Sequence, residues 1–211
     1  MSAPVTGPIA IGALDLAALL CSRVCHDLIS PVGAIVNGLE VLEENKDEET
    51  KTFALDLIKK SSRQASAKLQ FCRLAFGAAG SAGAQIETGD AERVARGLLE
   101  DGKTTIVWNL PREVVAKNRV KLLLNMLMVA VGAIPRGGTL TVGAADGGYR
   151  VAATGLNARL TATTAELLAG SPSHPVDAHA IQPVYTGILA RDCGLTVSAA
   201  AEGEAVVVTA R

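Results

Sequence analysis

Two helical patterns dominate the first third of the chain. Apolar and small residues recur at alternating spacings of three and four through residues 15–44, as along the seam of a bundle helix. The members of this seam are Cys21, Val24, Leu28, Pro31, Ile35, Gly38 and Leu42. After a polar loop at residues 45–49, a second seam over residues 50–78 comprises Leu55, Ile58, Ser62, Ala65, Leu69, Cys72 and Phe76. So short a loop predicts that the two helices are antiparallel neighbours.

This predicted hairpin cannot cover its own apolar surface, because two helices enclose too small a volume. It must therefore pack against the rest of the chain or against a second copy, and we favour a four-helix bundle in a homodimer. Residues 77–83 (GAAGSAG) have neither apolar periodicity nor charge and predict a flexible boundary. The chain is thus expected to divide into a helical hairpin, residues 1–83, and a second domain, residues 84–211.

Helical and strand patterns mix in the second domain. They predict helices near residues 90–100, 117–134 and 182–193, and strands near residues 104–109, 139–144, 149–154, 195–200 and 205–210. Gly147 and Gly148 form a turn that joins two of the strands into a hairpin. The expected fold class is α+β, in which the helical hairpin is followed by an α/β sandwich with helices on one face of its sheet.

Composition narrows the classes of function. Twenty basic and 21 acidic residues leave a net charge of −1 and no basic block, so nucleic acid is a poor partner. We find no signal sequence in residues 1–13 and no apolar run of roughly 20 residues, which predicts a cytoplasmic protein without membrane contact. The cysteines lack a metal-binding pair and are expected to be small buried hydrophobes; they are Cys21, Cys25, Cys72 and Cys193.

His26 is the residue that this pattern singles out for chemistry. At about 100° per residue it projects opposite the seam of the first helix and should face water. Arg23, Asp27 and Ser30 lie within one helical turn of it. Asp27 could hold the proton on one ring nitrogen and leave the other as a nucleophile, while Arg23 could offset phosphate charge. The plainer interpretation, an ordinary histidine on a solvated helix face, stays open at this point.

The same residues carry a family resemblance. The sequence HDLISP, from His26 to Pro31, resembles the H-box of histidine kinase dimerisation domains. The longer stretch SRVCHDLISPVGAIVNGLEVLEE, together with LQFCRLAFGA at the end of the second helix, resembles the ChpT-type histidine phosphotransferases. The resemblance implies that His26 is the phosphoacceptor. Asp27, Arg23 and Ser30 are then its expected catalytic neighbours.

The resemblance also implies a homodimer in which each protomer carries a degenerate ATPase-like domain. The implied partners are the receiver domain of a hybrid histidine kinase, as phosphoryl donor, and response regulators of the CtrA and CpdR type, as acceptors. No cofactor is expected in this chain, because the receiver's own acidic pocket supplies the magnesium ion. Ile29 and Pro31, which bends the helix one turn beyond the histidine, are the expected partner-binding residues.

Three segments of the second domain indicate that ATP is not used. LLLNMLMVAVGAIPRGG resembles a kinase N-box, but Val129 stands at the position of the magnesium-binding Asn, and Asn125 lies one turn earlier. VAATGLN resembles the strand and turn that present an Asp to adenine, but Ala153 takes the Asp position and Asn157 replaces a Gly. No GxGxG segment precedes the last helix, where Gly187 stands alone.

Other interpretations stay open from the sequence. The chain could be a dimeric scaffold that recruits receivers without accepting phosphate, or an atypical ATP-dependent histidine kinase. A Ser30 hydroxyl that orients water would suit a phosphatase. His174 and His179 lie in the Pro-rich stretch SPSHPVDAHAIQP, which we interpret as a shortened ATP lid rather than a metal site.

Overall fold

The computed structural model describes residues 11–44, 47–77, 84–170, 176–178 and 180–211. Its helices are α1 (Ala13–Glu44), α2 (Glu48–Ala75), α3 (Thr88–Leu99), α4 (Lys117–Gly132), α5 (Ala162–Ala169) and α6 (Ile181–Asp192). Its strands are β1 (Gln85–Glu87), β2 (Thr104–Trp108), β3 (Val114–Ala116), β4 (Gly138–Ala145), β5 (Gly148–Thr154), β6 (Val197–Glu202) and β7 (Ala205–Ala210). The expected α+β class, with a long helical hairpin before a sheet, is confirmed.

Helices α1 and α2 form the predicted hairpin. The N-cap of α2 is Asp47, whose Oδ2 accepts a hydrogen bond of 2.8 Å from the backbone N–H of Thr50 and so satisfies a donor that the helix leaves unpaired. Gly38 allows α1 and α2 to approach closely, since a Cβ at this position would lie 2.6 Å from Cγ1 of Ile58. The short connection and the glycine therefore fix both the direction and the spacing of the helices.

The seams predicted from the sequence are correct for most of α1 and displaced on α2. In α1, Pro31 and Gly38 are buried, and Gly38 lies against Ile58 of the other helix. In α2, the small residues Ala54 and Ser61 are buried where the helices come closest, and larger leucines beside them are not. The predicted seam positions that are exposed are Cys21 in α1 and Leu55, Ser62 and Leu69 in α2.

The C-terminal part is built on a five-stranded sheet with the order β2-β4-β5-β7-β6. Strands β2 and β4 are parallel, and the other neighbours are antiparallel. Helix α4 packs on β4, β5 and β7, while α3 packs on β2 and α6 on β6. The sheet residues in the common core include Ile106, Leu140, Val151 and Val208. A separate antiparallel pair joins β1 to β3.

The hairpin packs directly on this C-terminal part. Phe71 and Ala75 of α2 belong to the same hydrophobic cluster as the buried residues of α3, α4 and α6. The predicted boundary at residue 83 falls within residues 78–83, which lie outside the described residues. The division into domains 1–83 and 84–211 therefore stays a prediction.

Within the described part of the chain, helix α1 is long and apolar enough to cross a membrane, judged by length and composition alone, and it lies near the N-terminus. The sequence-based expectation that no run of this kind exists was therefore wrong. A helix that buries two apolar faces against other helices has the same composition, so this property alone does not identify a bilayer.

A buried polar network connects the hairpin to the C-terminal part. Asn125 on α4 is fully buried, and its Nδ2 donates to the carbonyl of Ala75 at 3.1 Å, in the last turn of α2. Gln182 on α6 donates from Nε2 to Oδ1 of Asn125 at 2.6 Å. The last carbonyls of a helix have no donor within it, so Asn125 caps α2 from the other part of the molecule.

Asn125→Ala is expected to lower the free energy of unfolding by about 2–4 kcal/mol, because it leaves the Gln182 amide and the Ala75 carbonyl unpaired inside the core. Urea denaturation followed by circular dichroism measures this loss. Asn109→Ala, at an exposed asparagine, is the matched control and should stay within about 0.5 kcal/mol of the wild type. An unchanged unfolding midpoint for Asn125→Ala would show that the network adds no stability.

Candidate functional site

His26 lies in α1 on the side of the helix turned away from α2. Its side chain is 64% exposed, which confirms the expected exposure of the ring. The helix is continuous from Ala13 to Glu44. The imidazole is therefore held on a regular scaffold and can be reached by another protein.

Asp27 faces both His26 and Arg23. Its Oδ1 lies 3.6 Å from Nδ1 of His26, and its Oδ2 accepts a hydrogen bond of 3.0 Å from Nε of Arg23. The Arg23 pair spans one helical turn and fixes the orientation of the carboxylate. A carboxylate beside Nδ1 favours the proton on that nitrogen, which leaves Nε2 as the basic, nucleophilic atom of the ring. The structure thus brings three of the predicted site residues together.

Lys68 of α2 reaches the same turn of α1, and the sequence patterns did not identify it. Its Nζ donates a hydrogen bond of 2.6 Å to the backbone carbonyl of Asp27. Lys68 lies three residues after Ala65 and four before Cys72, which is seam spacing. A lysine at an inward-facing position of a bundle helix was the signal that could have revealed it, but the predicted seam placed Leu69 there.

Cys72 lies beside this group of charges without taking part as a nucleophile. Burial, with a smaller contribution from the Asp27 carboxylate, raises the pKa of its thiol to about 11. The thiol therefore stays protonated near neutral pH, and a protonated thiol is not a nucleophile. The expectation that all four cysteines are buried was wrong: Cys72 and Cys193 are half-buried, and Cys21 and Cys25 are exposed.

The other predicted site residues lie farther from the carboxylate. Ser30 is exposed one turn after His26. Ile29 is 70% exposed, so it is open to a partner. Pro31 is buried, and its part in partner binding, expected through the bend that it introduces into α1, stays a prediction. Its ring can influence docking only through the course of the helix.

A cleft of about 400 Å³ separates α1 from the C-terminal part. Arg23 lines it from α1, and Val129, Arg159, Asp177 and Gln182 are among the residues that line it from the other side. Val129 thus puts an apolar side chain at the position where the kinase resemblance calls for a magnesium ligand. The asparagine one turn earlier is in the core and does not line this cleft.

The remaining positions of the kinase resemblance have structural roles. Ala153 is fully buried on β5. Asn157 has a φ of 59°, in the left-handed region that glycine and asparagine favour, so the replacement of Gly keeps the turn. A Cβ at Gly187 would lie 2.6 Å from the carbonyl of Leu168, which indicates close packing of α6 on α5. The lid histidines, His174 and His179, lie outside the described residues.

Comparisons with known proteins agree with this architecture. Residues 88–205 match the family model described as the histidine phosphotransferase C-terminal domain. The chain is 50% identical over 215 residues to Protein phosphotransferase ChpT of Brucella abortus (strain 2308), with 100% of both chains covered. A solved structure of a bacterial phosphotransferase superposes with a TM-score of 0.85 and 47% identity, covering 97% of this chain and 99% of that one.

Proposed function

Since this chain belongs to the histidine phosphotransferase family and is a phosphotransferase, we propose that His26 is the residue that carries the phosphoryl group. The observation that supports this best is an exposed imidazole whose Nδ1 faces the Asp27 carboxylate at 3.6 Å. We propose that His26 takes the group from a receiver aspartate of a hybrid kinase and passes it to the aspartate of a response-regulator receiver. The chain then acts as the middle step of a phosphorelay.

In the first transfer, Nε2 of neutral His26 attacks the phosphorus of the receiver's acyl phosphate. The N–P bond forms while the P–O bond to the receiver carboxylate breaks, and the carboxylate leaves with the bonding electron pair. The proton stays on Nδ1, where the negative Asp27 stabilises the charge that the ring gains. Arg23 adds a positive charge near the phosphoryl oxygens. The receiver supplies the magnesium ion, and the second transfer is the reverse reaction with another receiver.

ATP has no part in this proposal. Three replacements support its absence: Val129 for a magnesium ligand, buried Ala153 for the acceptor of adenine, and a single Gly187 packed on α5 instead of a glycine-rich loop. Without a magnesium ligand and an adenine acceptor, the cleft lacks two groups that fix ATP in a kinase of this architecture.

The proposed partners are a second copy of the chain, the receiver of a hybrid kinase, and response regulators of the CtrA and CpdR type. Ile29, exposed one turn after the histidine, is the proposed apolar contact for a receiver. We propose a cytoplasmic location. The apolar faces of α1 are then covered within the hairpin and the dimer. Arg23, His26 and Asp27 lie on the same helix, and charged groups within a membrane span are costly.

A phosphorylated receiver is expected to label the chain, and ATP is not. A panel of response-regulator receiver domains, phosphorylated with radiolabelled acetyl phosphate and freed of the reagent, should transfer label to the wild-type chain on mixing with magnesium. ATP labelled at its γ-phosphate should leave the chain unlabelled, because the cleft lacks the groups named above.

The comparison of labelled receivers with labelled ATP also distinguishes the alternative functions, which are a kinase, a scaffold and a phosphatase. Label from ATP alone would identify an atypical kinase and contradict the proposal. Receivers that bind the chain in a pull-down without transferring label would identify a scaffold. A receiver phosphatase would lower the label on the receiver without any label on the chain.

A further inference from the structure

Pro31 removes a hydrogen bond from the turn of α1 that carries His26. In an α-helix, the N–H of each residue donates to the carbonyl four residues earlier. Proline has no N–H, so the carbonyl of Asp27 has no donor within the helix. The helix nevertheless continues to Glu44, and the question is what satisfies this carbonyl.

Lys68 takes the place of the missing N–H. Its Nζ lies 2.6 Å from the Asp27 carbonyl oxygen, a short, charge-assisted hydrogen bond. The lysine is on α2 and only partly exposed, so the bond joins the two helices at the proline. Through this bond, a side chain of α2 holds the backbone of Asp27, the residue next to His26.

The Cys72 thiol lies close to the charges of Asp27, Arg23 and Lys68, so these three groups share one region of the hairpin. The pKa of its thiol is raised first by burial and then by the Asp27 carboxylate, and it is lowered by the Arg23 and Lys68 cations. Asp27 is therefore contacted twice: Arg23 binds its carboxylate at 3.0 Å, and Lys68 binds its carbonyl. Two cations together fix the side chain and the backbone of one residue.

We infer that Lys68 is a positioning residue of the phosphotransfer site, an inference that rests on the function proposed above. Its ammonium occupies the carbonyl that Pro31 leaves without a donor and holds the turn between Asp27 and Pro31 against α2. The Asp27 carboxylate consequently stays opposite Nδ1 of His26 and keeps Nε2 as the nucleophile. The lysine is needed because the proline leaves this carbonyl without a donor.

This pairing gives the inference a specific test, because Pro31→Ala restores the missing N–H. In the wild-type background, Lys68→Met keeps the aliphatic stem but leaves the Asp27 carbonyl without its donor. In the Pro31→Ala background, the N–H of residue 31 can bond to that carbonyl, and the lysine is no longer required. The two substitutions should therefore be strongly non-additive.

The measurement is single-turnover transfer from a receiver domain phosphorylated with labelled acetyl phosphate, at increasing receiver concentration. Lys68→Met should lower the maximal rate by about ten-fold and leave the half-saturating concentration nearly unchanged. Lys68→Arg should recover most of the rate. In the Pro31→Ala background, Lys68→Met should change the rate by less than about two-fold. Lys60→Met, at an exposed lysine of the same helix, is the matched control and should behave as the wild type.

The possible outcomes separate the inference from the proposed function. A wild-type chain that takes no label from any receiver contradicts the function itself. A labelled wild type with an unaffected Lys68→Met overturns the inference alone, and so does an equal loss in both backgrounds. A change confined to the half-saturating concentration would make Lys68 a docking residue. If Lys68→Met folds poorly, the double variant should regain both folding and rate, and its failure would also overturn the inference.

Discussion

His26→Ala is expected to leave the chain unable to accept a phosphoryl group, with the transfer rate reduced by at least about a thousand-fold. The substitution removes the nucleophilic nitrogen, and neither Asp27 nor Arg23 can replace it. Ser30 is a far weaker nucleophile without a base that activates it. Transfer from a labelled receiver, followed by gel electrophoresis and autoradiography, measures the loss.

Two controls make that result specific. The His26 side chain is 64% exposed, so its removal should change the unfolding free energy by no more than about 0.5 kcal/mol, which thermal denaturation can check. The chain has three histidines, and the double substitution His174→Ala with His179→Ala should keep full labelling. Label that persists on His26→Ala and disappears from the double variant would place the phosphoacceptor in the Pro-rich stretch.

The long elements were predictable because their periodicity is local. The seams of α1 and α2 recur over many residues, so single exceptions do not hide them, and β5 and β7 are short, mainly apolar stretches. Strands β1 and β3 have three residues each, too few to show a period, and they exist because they pair across the intervening α3 and β2. Helix α5 has eight residues rich in alanine, threonine and leucine and gives no amphipathic signal.

Only the part of the site that lies within one helix was predictable from local sequence. Arg23, His26 and Asp27 lie within one turn of a helix, so their proximity follows once the helix is recognised. The contact of Lys68 depends on the rotation and register of α2 against α1. Those depend on small buried residues of α2 such as Ala54 and Ser61, which a search for large apolar residues gives little weight.

The leucines misplaced in the predicted seam belong to a second apolar face of the hairpin. On α1, exposed apolar residues lie roughly a quarter turn from the seam, and on α2 they lie roughly a quarter turn in the same rotational sense. Because the helices are right-handed and antiparallel, equal rotations in one sense bring both groups to the same side of the hairpin. The members of this face are Val32, Val36 and Leu39 of α1 with Leu55 and Leu69 of α2, each between 44% and 52% exposed. His26 points away from it.

Such a face on a hairpin fits pairing with a second copy, as in a four-helix bundle. We expect Val36→Asp combined with Leu39→Asp to convert a dimer into a monomer, with the dimer affinity reduced by at least about a hundred-fold. Symmetry places each new carboxylate in the interface twice, where burying an unpaired charge costs several kcal/mol. Sedimentation velocity over a range of concentrations measures the change.

Phe53→Asp is the control that tests whether this face, rather than any exposed apolar residue, forms the dimer. Phe53 is 71% exposed, more than any member of the proposed face, but it lies about half a turn around α2 from Leu55 and Leu69. If the face is the interface, Phe53→Asp stays dimeric while the double variant dissociates. A wild-type chain that is monomeric at all concentrations, or a double variant that remains dimeric, would contradict the four-helix bundle. The site on α1 should survive dissociation in part, because Arg23, Asp27 and Lys68 all belong to the same protomer as His26.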